Sequence, residues 1–269
     1  MQDPSSQVST LRAVLAAMRP HQWLKNLLIF LPLIAAHNGE PAAWLLGLAG
    51  FVCFSLVASG VYVINDLCDL SADRAHPRKR NRPFASGALA IGTGFMLAPS
   101  LLALGLLLAL LILPGEFTLL LLGYFALTCA YSLWLKRIAV LDIILLSGLF
   151  TWRVLAGGIA TGILLSPWLL AFSTFLFFSL AAVKRHVEIA DTAQRSQEAM
   201  KSGGTPERIT GRGYRIDDLP LIRTLSVTSG LVAVLVVALY VNSDQVVMLY
   251  RTPEVLWLLC VILLFWITR

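Results

Sequence analysis

Eight long apolar segments dominate this sequence and constrain its fold more than any other feature. They lie at about 22–38, 42–65, 88–113, 117–135, 138–162, 166–183, 219–242 and 254–269. A bilayer core about 30 Å thick is crossed by about 20 apolar residues in helical form. Only 13% of the residues are charged, about half the roughly 25% share in soluble domains. We therefore predict an all-α polytopic membrane protein, with residues 1–269 forming a single transmembrane domain.

The basic residues predict the orientation of these helices. If the N-terminus is cytoplasmic, 19 of the 21 lysine and arginine residues fall on the cytoplasmic side. Basic residues concentrate in cytoplasmic loops of membrane proteins, so we predict a bacterial-type inner-membrane location with the N-terminus inside. The net charge of +6 is then a topology signal, and we expect no nucleic-acid partner. The two long cytoplasmic loops, about 66–87 and 184–218, should build the functional site.

The sequence also raises the question of a ninth span. The final apolar segment is shorter than a bilayer core requires, so we expect the chain to be truncated or to lack a last element.

Three aspartates follow the second apolar segment at a spacing typical of one helix face. Asp66, Asp69 and Asp73 are separated by three and four residues, which places them on one side of a continuing helix, with Asn65 adjacent. Three acids on one face repel one another unless a cation lies among them. Mg²⁺ favours carboxylates together with phosphate oxygens, so we predict a metal-bridged diphosphate site. The alternative is a solvated helix end.

A basic run follows these acids immediately, between Arg74 and Arg82. Beside a membrane span such a run often contacts anionic lipid. Beside three acids, Arg74, Lys79 and Arg82 can instead neutralise phosphate oxygens and stabilise a leaving diphosphate. We favour this role in substrate binding.

These motifs resemble the UbiA superfamily of intramembrane prenyltransferases. Residues 65–87 contain the pattern N-D-x-x-D-x-x-x-D and a later R-P-x-x-S-G. A narrower resemblance, to the decaprenyl-phosphate phosphoribosyltransferase branch, is carried by 19–26, 73–83, 131–136, 141–142, 153–158 and 184–185. It extends from about residue 19 to residue 187 and is weaker beyond residue 215.

The resemblance implies a bundle of nine helices around a central cavity, of which eight spans are visible and the ninth is missing. In typical members, a second acidic motif after the sixth span binds another Mg²⁺, and an allylic diphosphate alkylates an aromatic acceptor. In the phosphoribosyltransferase branch, the diphosphate belongs to phosphoribosyl pyrophosphate and the acceptor is a polyprenyl phosphate. The corresponding loop here begins with Lys184 and Arg185 and has only the pair Glu188 and Asp191. Lys184 and Arg185 suit an anionic acceptor or a 5-phosphate, and Glu188 joins the predicted substrate-binding residues.

Four more residues complete the predicted site. Arg153 lies deep in an apolar segment, where charged residues usually face a cavity or a partner. We predict that it contacts a phosphate or a buried acid. Asp142 and Lys136 match the branch and are predicted to bind substrate, although Asp142 could instead pair with Lys136 or Arg137 at the membrane boundary. Lys25 could face the cavity mouth or anchor the first span at the interface.

The leading hypothesis is therefore a Mg²⁺-dependent membrane transferase acting in the cell envelope. Asp66, Asp69 and Asp73 bind the metal, and Asp66, Asp69 and Arg153 are the catalytic residues. A polyprenyl phosphate attacks phosphoribosyl pyrophosphate and releases pyrophosphate. The acceptor is already an anion, so no strong general base is needed, and a downstream phosphatase is a possible partner. The alternatives are prenyl transfer from a polyprenyl diphosphate to an aromatic acceptor, and a transporter or lipid-binding protein.

Overall fold

The computed structural model describes residues 4–201 and 212–268. Within these ranges the chain is helical and contains no strand. The α-helices are α1 (Pro4–Met18), α2 (Leu31–Ala35), α3 (Pro41–Cys68), α4 (Leu70–Ala75), α5 (Ile91–Ile112), α6 (Gly115–Leu133), α7 (Leu141–Thr161), α8 (Pro167–Lys201), α9 (Leu219–Val241), α10 (Asp244–Leu249) and α11 (Trp257–Thr268). Short 3-10 helices connect them at Pro20–Phe30, Lys79–Asn81, Leu135–Arg137, Ile216–Asp218 and Pro253–Leu256.

Six of the described helices are long and apolar enough to cross a bilayer. They are Pro41–Cys68, Ile91–Ile112, Gly115–Leu133, Leu141–Thr161, Pro167–Glu198 and Ile216–Val241. Large apolar side chains on them are widely exposed, as at Leu110 and Leu111, which is the pattern of helices that face hydrocarbon. The prediction of an all-α polytopic membrane protein is confirmed.

Two of the eight apolar segments do not form full-length spans in the described chain. Residues 22–38 were expected to form the first span, but they form a 3-10 helix and then the short α2. Arg19 ends α1 in a left-handed conformation, and Pro32, which has no N–H, lies at the start of α2. The last segment begins inside another 3-10 helix, Pro253–Leu256, and in its described part only Trp257–Thr268 is α-helical.

The described chain divides into two compact units. The first contains the chain up to Ser132 together with Arg153–Leu164. In it, the 3-10 helix Pro20–Phe30 is fastened to α3 through two buried serines. Asn26 donates to Ser55 at 2.9 Å, and Trp23 donates to Ser59 at 3.0 Å.

Gly157 permits a close helix approach in this first unit. A Cβ atom there would collide with the backbone carbonyl of Ile29. Small residues at such positions allow helices to come together in lipid, where van der Waals packing drives association.

The second unit contains Leu133–Trp152 and the chain from Leu165 onward. Its main packing joins α8 to α9, where the Ser179 hydroxyl donates to the Ser226 carbonyl at 2.8 Å. A buried cluster, which includes Ile143, Ile189, Tyr214 and Ile222, lies around the polar ends of α7, α8 and α9. These apolar contacts fix the positions of the charged residues described below.

Candidate functional site

The first charged cluster lies at the end of α3 and consists of Arg19, Asp66, Asp73, Lys79 and Arg82; we call it the Asp66 cluster. Asp69 separates α3 from α4, but helical hydrogen bonding continues across it. The Asp69 N–H donates to the Asn65 carbonyl at 2.9 Å, and the Asp73 N–H donates to the Asp69 carbonyl at 2.8 Å. Asp66 and Asp73 are both buried, with 2% and 1% exposure.

Basic side chains bridge the two buried carboxylates. Arg82 Nη1 lies 3.2 Å from Asp66 Oδ1 and 2.5 Å from Asp73 Oδ2. Arg19 Nη2 lies 2.5 Å from Asp66 Oδ1, and its guanidinium stacks over the Tyr62 ring at 5.1 Å. Lys79 Nζ lies 3.9 Å from Asp73 Oδ1. Buried acids are stable only when they are paired, and here Arg19 and two residues of the basic run are the partners.

Each of these carboxylates also has an oxygen that accepts no hydrogen bond. Asp66 Oδ2 and Asp73 Oδ1 are buried without such a partner among the described residues. An ionised carboxylate has about four lone-pair positions, so both acids retain acceptor capacity for a further cation or donor. Two carboxylates with open oxygens fit a hard cation such as Mg²⁺.

The predicted group of three aspartates is not assembled. No three acidic, histidine or cysteine side chains in the described ranges are grouped as metal ligands would be. The prediction assumed a regular helix, whereas the backbone at Asp69 departs from helical geometry, with φ −92° and ψ 10°, although the hydrogen bonds continue across it. Asp69 is half-buried, while Arg82 joins Asp66 to Asp73.

Arg153 is buried in α7, where polar and aromatic side chains contact its guanidinium. Its Nε donates to Asn26 Oδ1 and its Nη2 donates to the Tyr124 hydroxyl, both at 2.9 Å. The guanidinium also lies over the rings of Phe54 and Tyr124, at 5.3 Å and 5.1 Å. The structure thus shows an amide, a phenol and two aromatic faces around Arg153, and its contact with a substrate phosphate stays a prediction.

The second charged cluster consists of Asp142, Arg185, Glu188, Arg212 and Tyr214; we call it the Asp142 cluster. Asp142 and Arg185 are both fully buried at 0% exposure, and Arg185 Nε lies 2.7 Å from Asp142 Oδ2. Arg212 Nη1 donates to Asp142 Oδ1 at 3.1 Å. Glu188 pairs with Arg185 and lies 3.5 Å from Arg212 Nε. Tyr214 places its ring 5.6 Å from the Arg185 guanidinium carbon.

This geometry corrects two predictions. Asp142 pairs with Arg185 and Arg212, whereas we had considered Lys136 or Arg137 as its partner. Arg185 was predicted to bind a substrate phosphate, but its side chain has no exposed surface and is engaged by two acids. Arg185 therefore neutralises buried Asp142.

The remaining predicted residues differ in exposure. Lys25, Asn65 and Lys136 are half-buried, whereas Arg74 and Lys184 are exposed. Their roles in substrate binding stay predictions. Sequence reasoning assigned no site role to Arg19 or Tyr124, although both contact predicted catalytic residues. The signal for Arg19 was its place at the start of the motif 19–26.

Comparison with known proteins identifies the family. Residues 26–269 match the UbiA prenyltransferase family. The chain belongs to this family. The family and the six apolar helices together indicate a multi-pass membrane protein and a transferase of the UbiA superfamily.

Relatives within and around this family carry several names. The chain is 39% identical over 257 residues to protein y4nM of Sinorhizobium fredii, covering 95% of this chain and 48% of y4nM. It therefore spans about half the length of y4nM. It is 37% identical over 257 residues to nodulation protein NoeC of Azorhizobium caulinodans, covering 94% and 79%. It is 38% identical over 232 residues to decaprenyl-phosphate phosphoribosyltransferase of Mycolicibacterium smegmatis, covering 84% and 69%.

Solved structures of UbiA homologues share the fold. A homologue from Archaeoglobus fulgidus bound to GPP and Mg²⁺ aligns with a TM-score of 0.68 at 19% identity, covering 94% of this chain and 86% of that one. The same protein bound to DMAPP and Mg²⁺ aligns with a TM-score of 0.67. At this identity the likeness establishes the fold of this UbiA-family chain.

Proposed function

We propose that this UbiA-family protein is a Mg²⁺-dependent transferase that moves a phosphoribosyl group from phosphoribosyl pyrophosphate to a polyprenyl phosphate. The observation that carries the proposal is the Asp66 cluster. Two buried acids with open oxygens lie beside Arg19, Lys79 and Arg82. A cation that is held by acidic residues and has basic groups beside it can bind a diphosphate.

In this proposal Asp66 and Asp73 would hold Mg²⁺ through the buried oxygens that accept no hydrogen bond. When bound, Mg²⁺ neutralises charge that develops on the leaving pyrophosphate. Arg82 and Lys79 donate to the pyrophosphate oxygens. An acceptor phosphate oxygen forms the new bond to the anomeric carbon. The bond from that carbon to pyrophosphate breaks, and its electron pair leaves with pyrophosphate.

Arg82 has a second task in this scheme, because it occupies the position between the two acids. Before substrate binds, its guanidinium balances Asp66 and Asp73 at 3.2 Å and 2.5 Å. Arg82 is 27% exposed, so it can turn from the carboxylates toward an incoming phosphate. This exchange keeps buried acids neutralised throughout the cycle.

The Asp142 cluster favours this reaction over the alternative transfer of an allylic prenyl group to an aromatic acceptor. The alternative calls for a second acidic motif to bind another Mg²⁺. The acids available for it in the described part of that loop are occupied by arginines: Glu188 pairs with Arg185 and Arg212, and Asp191 pairs with Arg195. The names of relatives such as the Mycolicibacterium smegmatis enzyme agree with the phosphoribosyl reaction.

The proposal places the Asp66 cluster on the cytoplasmic side of the inner membrane. Phosphoribosyl pyrophosphate is water-soluble, whereas the polyprenyl acceptor lies in the bilayer. The product would keep the 5-phosphate of its sugar, so we expect a phosphatase to act after this transferase.

The test measures pyrophosphate release by purified, full-length protein with Mg²⁺. One mixture contains phosphoribosyl pyrophosphate and polyprenyl phosphate, and the other contains a polyprenyl diphosphate and 4-hydroxybenzoate. We expect release in the first mixture alone, and chelation of Mg²⁺ should abolish it. Release in the second mixture alone would establish aromatic prenyl transfer instead.

A further inference from the structure

The turn that leads into α7 has a strained backbone. Val140 has φ 65°, in the left-handed region that β-branched residues rarely adopt. The Leu141 N–H donates to the Ala139 carbonyl at 2.8 Å across this residue. A γ-turn with a positive central φ is the rarer and more strained form. Such a conformation persists only where its surroundings hold it.

Tyr214 supplies a contact that holds this turn. Its hydroxyl accepts a hydrogen bond from the Val140 N–H at 2.9 Å, and its side chain is 5% exposed. Burial raises the pKa of Tyr214, and the hydrogen bond of its hydroxyl with Asp142 raises it further. The hydrogen bond from the Val140 N–H lowers the pKa of Tyr214, but by less than burial raises it. The phenol therefore keeps its proton, so its hydroxyl can accept a hydrogen bond from the Val140 N–H and donate one to Asp142 at the same time.

The two residues before Tyr214 secure the same stretch of chain. Arg212 pairs with Asp142 and Glu188. Gly213 lies against the backbone of Arg137 so closely that a Cβ atom would collide with the Arg137 carbonyl. Residues 212–214 therefore contact residues 137–142 through a close backbone approach, hydrogen bonds and an ion pair, and these contacts hold the two stretches together.

We infer that Tyr214 is a positioning residue that holds the strained turn at Val140 and thereby orients Lys136 and Asp142 relative to each other. Lys136 lies four residues before Val140, and Asp142 lies two after it. A change in φ at Val140 would redirect the chain between them. This inference rests on the proposed function and on the prediction from the sequence that Lys136 binds a substrate phosphate in that reaction.

The first experiment compares Tyr214→Phe with Tyr240→Phe, which removes a hydroxyl near the opposite end of α9. Because Lys136 would contact the phosphate equally in the ground and transition states, the loss should appear in KM. For Tyr214→Phe we expect KM for phosphoribosyl pyrophosphate to rise about tenfold, while kcat changes less than about threefold. Tyr240→Phe should leave both parameters unchanged.

The second experiment adds Val140→Gly to Tyr214→Phe. Glycine adopts positive φ without steric cost, so the turn no longer needs the hydroxyl. We expect the double variant to return KM to within about twofold of the wild-type value. If Tyr214 served stability alone, Tyr214→Phe would lower the melting temperature and leave KM unchanged. That result, or a double variant without recovery, overturns the inference.

Hydrogen exchange separates this inference from the proposed function. If the wild-type protein transfers no phosphoribosyl group, the proposed function fails by itself. Exchange in a peptide covering residues 136–144 then tests the turn directly. Tyr214→Phe should speed exchange there, and Val140→Gly in the same chain should slow it again at Leu141. Equal exchange in the wild-type and Tyr214→Phe proteins overturns the role of Tyr214.

Discussion

The Asp66 cluster and the Asp142 cluster use the same residue types in different ways. In the Asp66 cluster, Arg19 and Arg82 are 19% and 27% exposed, and both arginines pair with the same Asp66 oxygen, Oδ1. In the Asp142 cluster, Asp142 and Arg185 have no exposed surface, and arginines reach both Asp142 oxygens. A partly solvated arginine can exchange partners, whereas a sealed pair can do so only at a large cost. We infer that the Asp66 cluster binds the metal and the substrate, and that the Asp142 cluster stabilises the fold.

The largest effect should follow from removing the sealed arginine. Arg185→Ala removes one of the two arginines that pair with buried Asp142, and breaking a buried pair typically costs about 3–5 kcal/mol of stability. We expect a clearly lower melting temperature in detergent, with or without Mg²⁺. Arg195→Ala is the matched control, because Arg195 lies on the same helix in an exposed pair. Equal stability of the two variants would contradict the assignment of the Asp142 cluster to support.

Asp66→Asn should instead lower activity more than stability. The amide keeps the shape of the side chain but removes the charge that would hold a cation. We expect the rate of pyrophosphate release to fall at least about 100-fold at saturating Mg²⁺. Asp244→Asn, a change at an exposed acid on α10, serves as the control. A rate within a few-fold of wild type would remove Asp66 from the metal site.

Arg82→Ala should make the fold depend on Mg²⁺. Without Arg82, Asp73 keeps only Lys79 at 3.9 Å, and Asp66 keeps Arg19. We expect a loss of about 1–3 kcal/mol in the metal-free protein. Mg²⁺ at a concentration about 100 times its Kd should raise the free energy of unfolding by about 2.7 kcal/mol. Arg80→Ala, at an exposed position in the 3-10 helix that ends just before Arg82, should lose no stability in the metal-free protein. A variant that Mg²⁺ does not stabilise would contradict cation exchange at these acids.

The sequence predicted the long helices well because their signal is local. Apolar segments as long as a bilayer is thick become helices whatever their neighbours are. The proximity of Asp66 to Asp73 could also be predicted from local spacing, because the two residues lie one above the other across two helical turns. The separation of Asp69 from these two acids could not be predicted from local spacing, because the end of α3 at Cys68 depends on how the chain turns into α4.

Partners distant in sequence could not be predicted. Arg19 reaches Asp66 across 47 residues, and Arg212 reaches Asp142 across 70. Spacing along a helix carries no information about such pairs. Lys136 and Arg137 were considered for Asp142 because they are close in sequence, yet α8 and the segment before α9 supply its arginines. Burial of the whole pair at Asp142 and Arg185 likewise depends on tertiary packing.

Glu188→Gln should have the smallest effect, and it separates the two candidate reactions. Glu188 is 42% exposed and already faces Arg185 and Arg212, so loss of its charge removes one exposed partner of these arginines. We expect pyrophosphate release to fall less than about threefold, in line with the modest value of partly exposed ion pairs. The same holds for Asp191→Asn, since Asp191 and Arg195 are both exposed. If these acids bound a second Mg²⁺, either change would lower the rate as strongly as Asp66→Asn. Such a result would make the Asp142 cluster a binding site and would favour prenyl transfer from an allylic diphosphate.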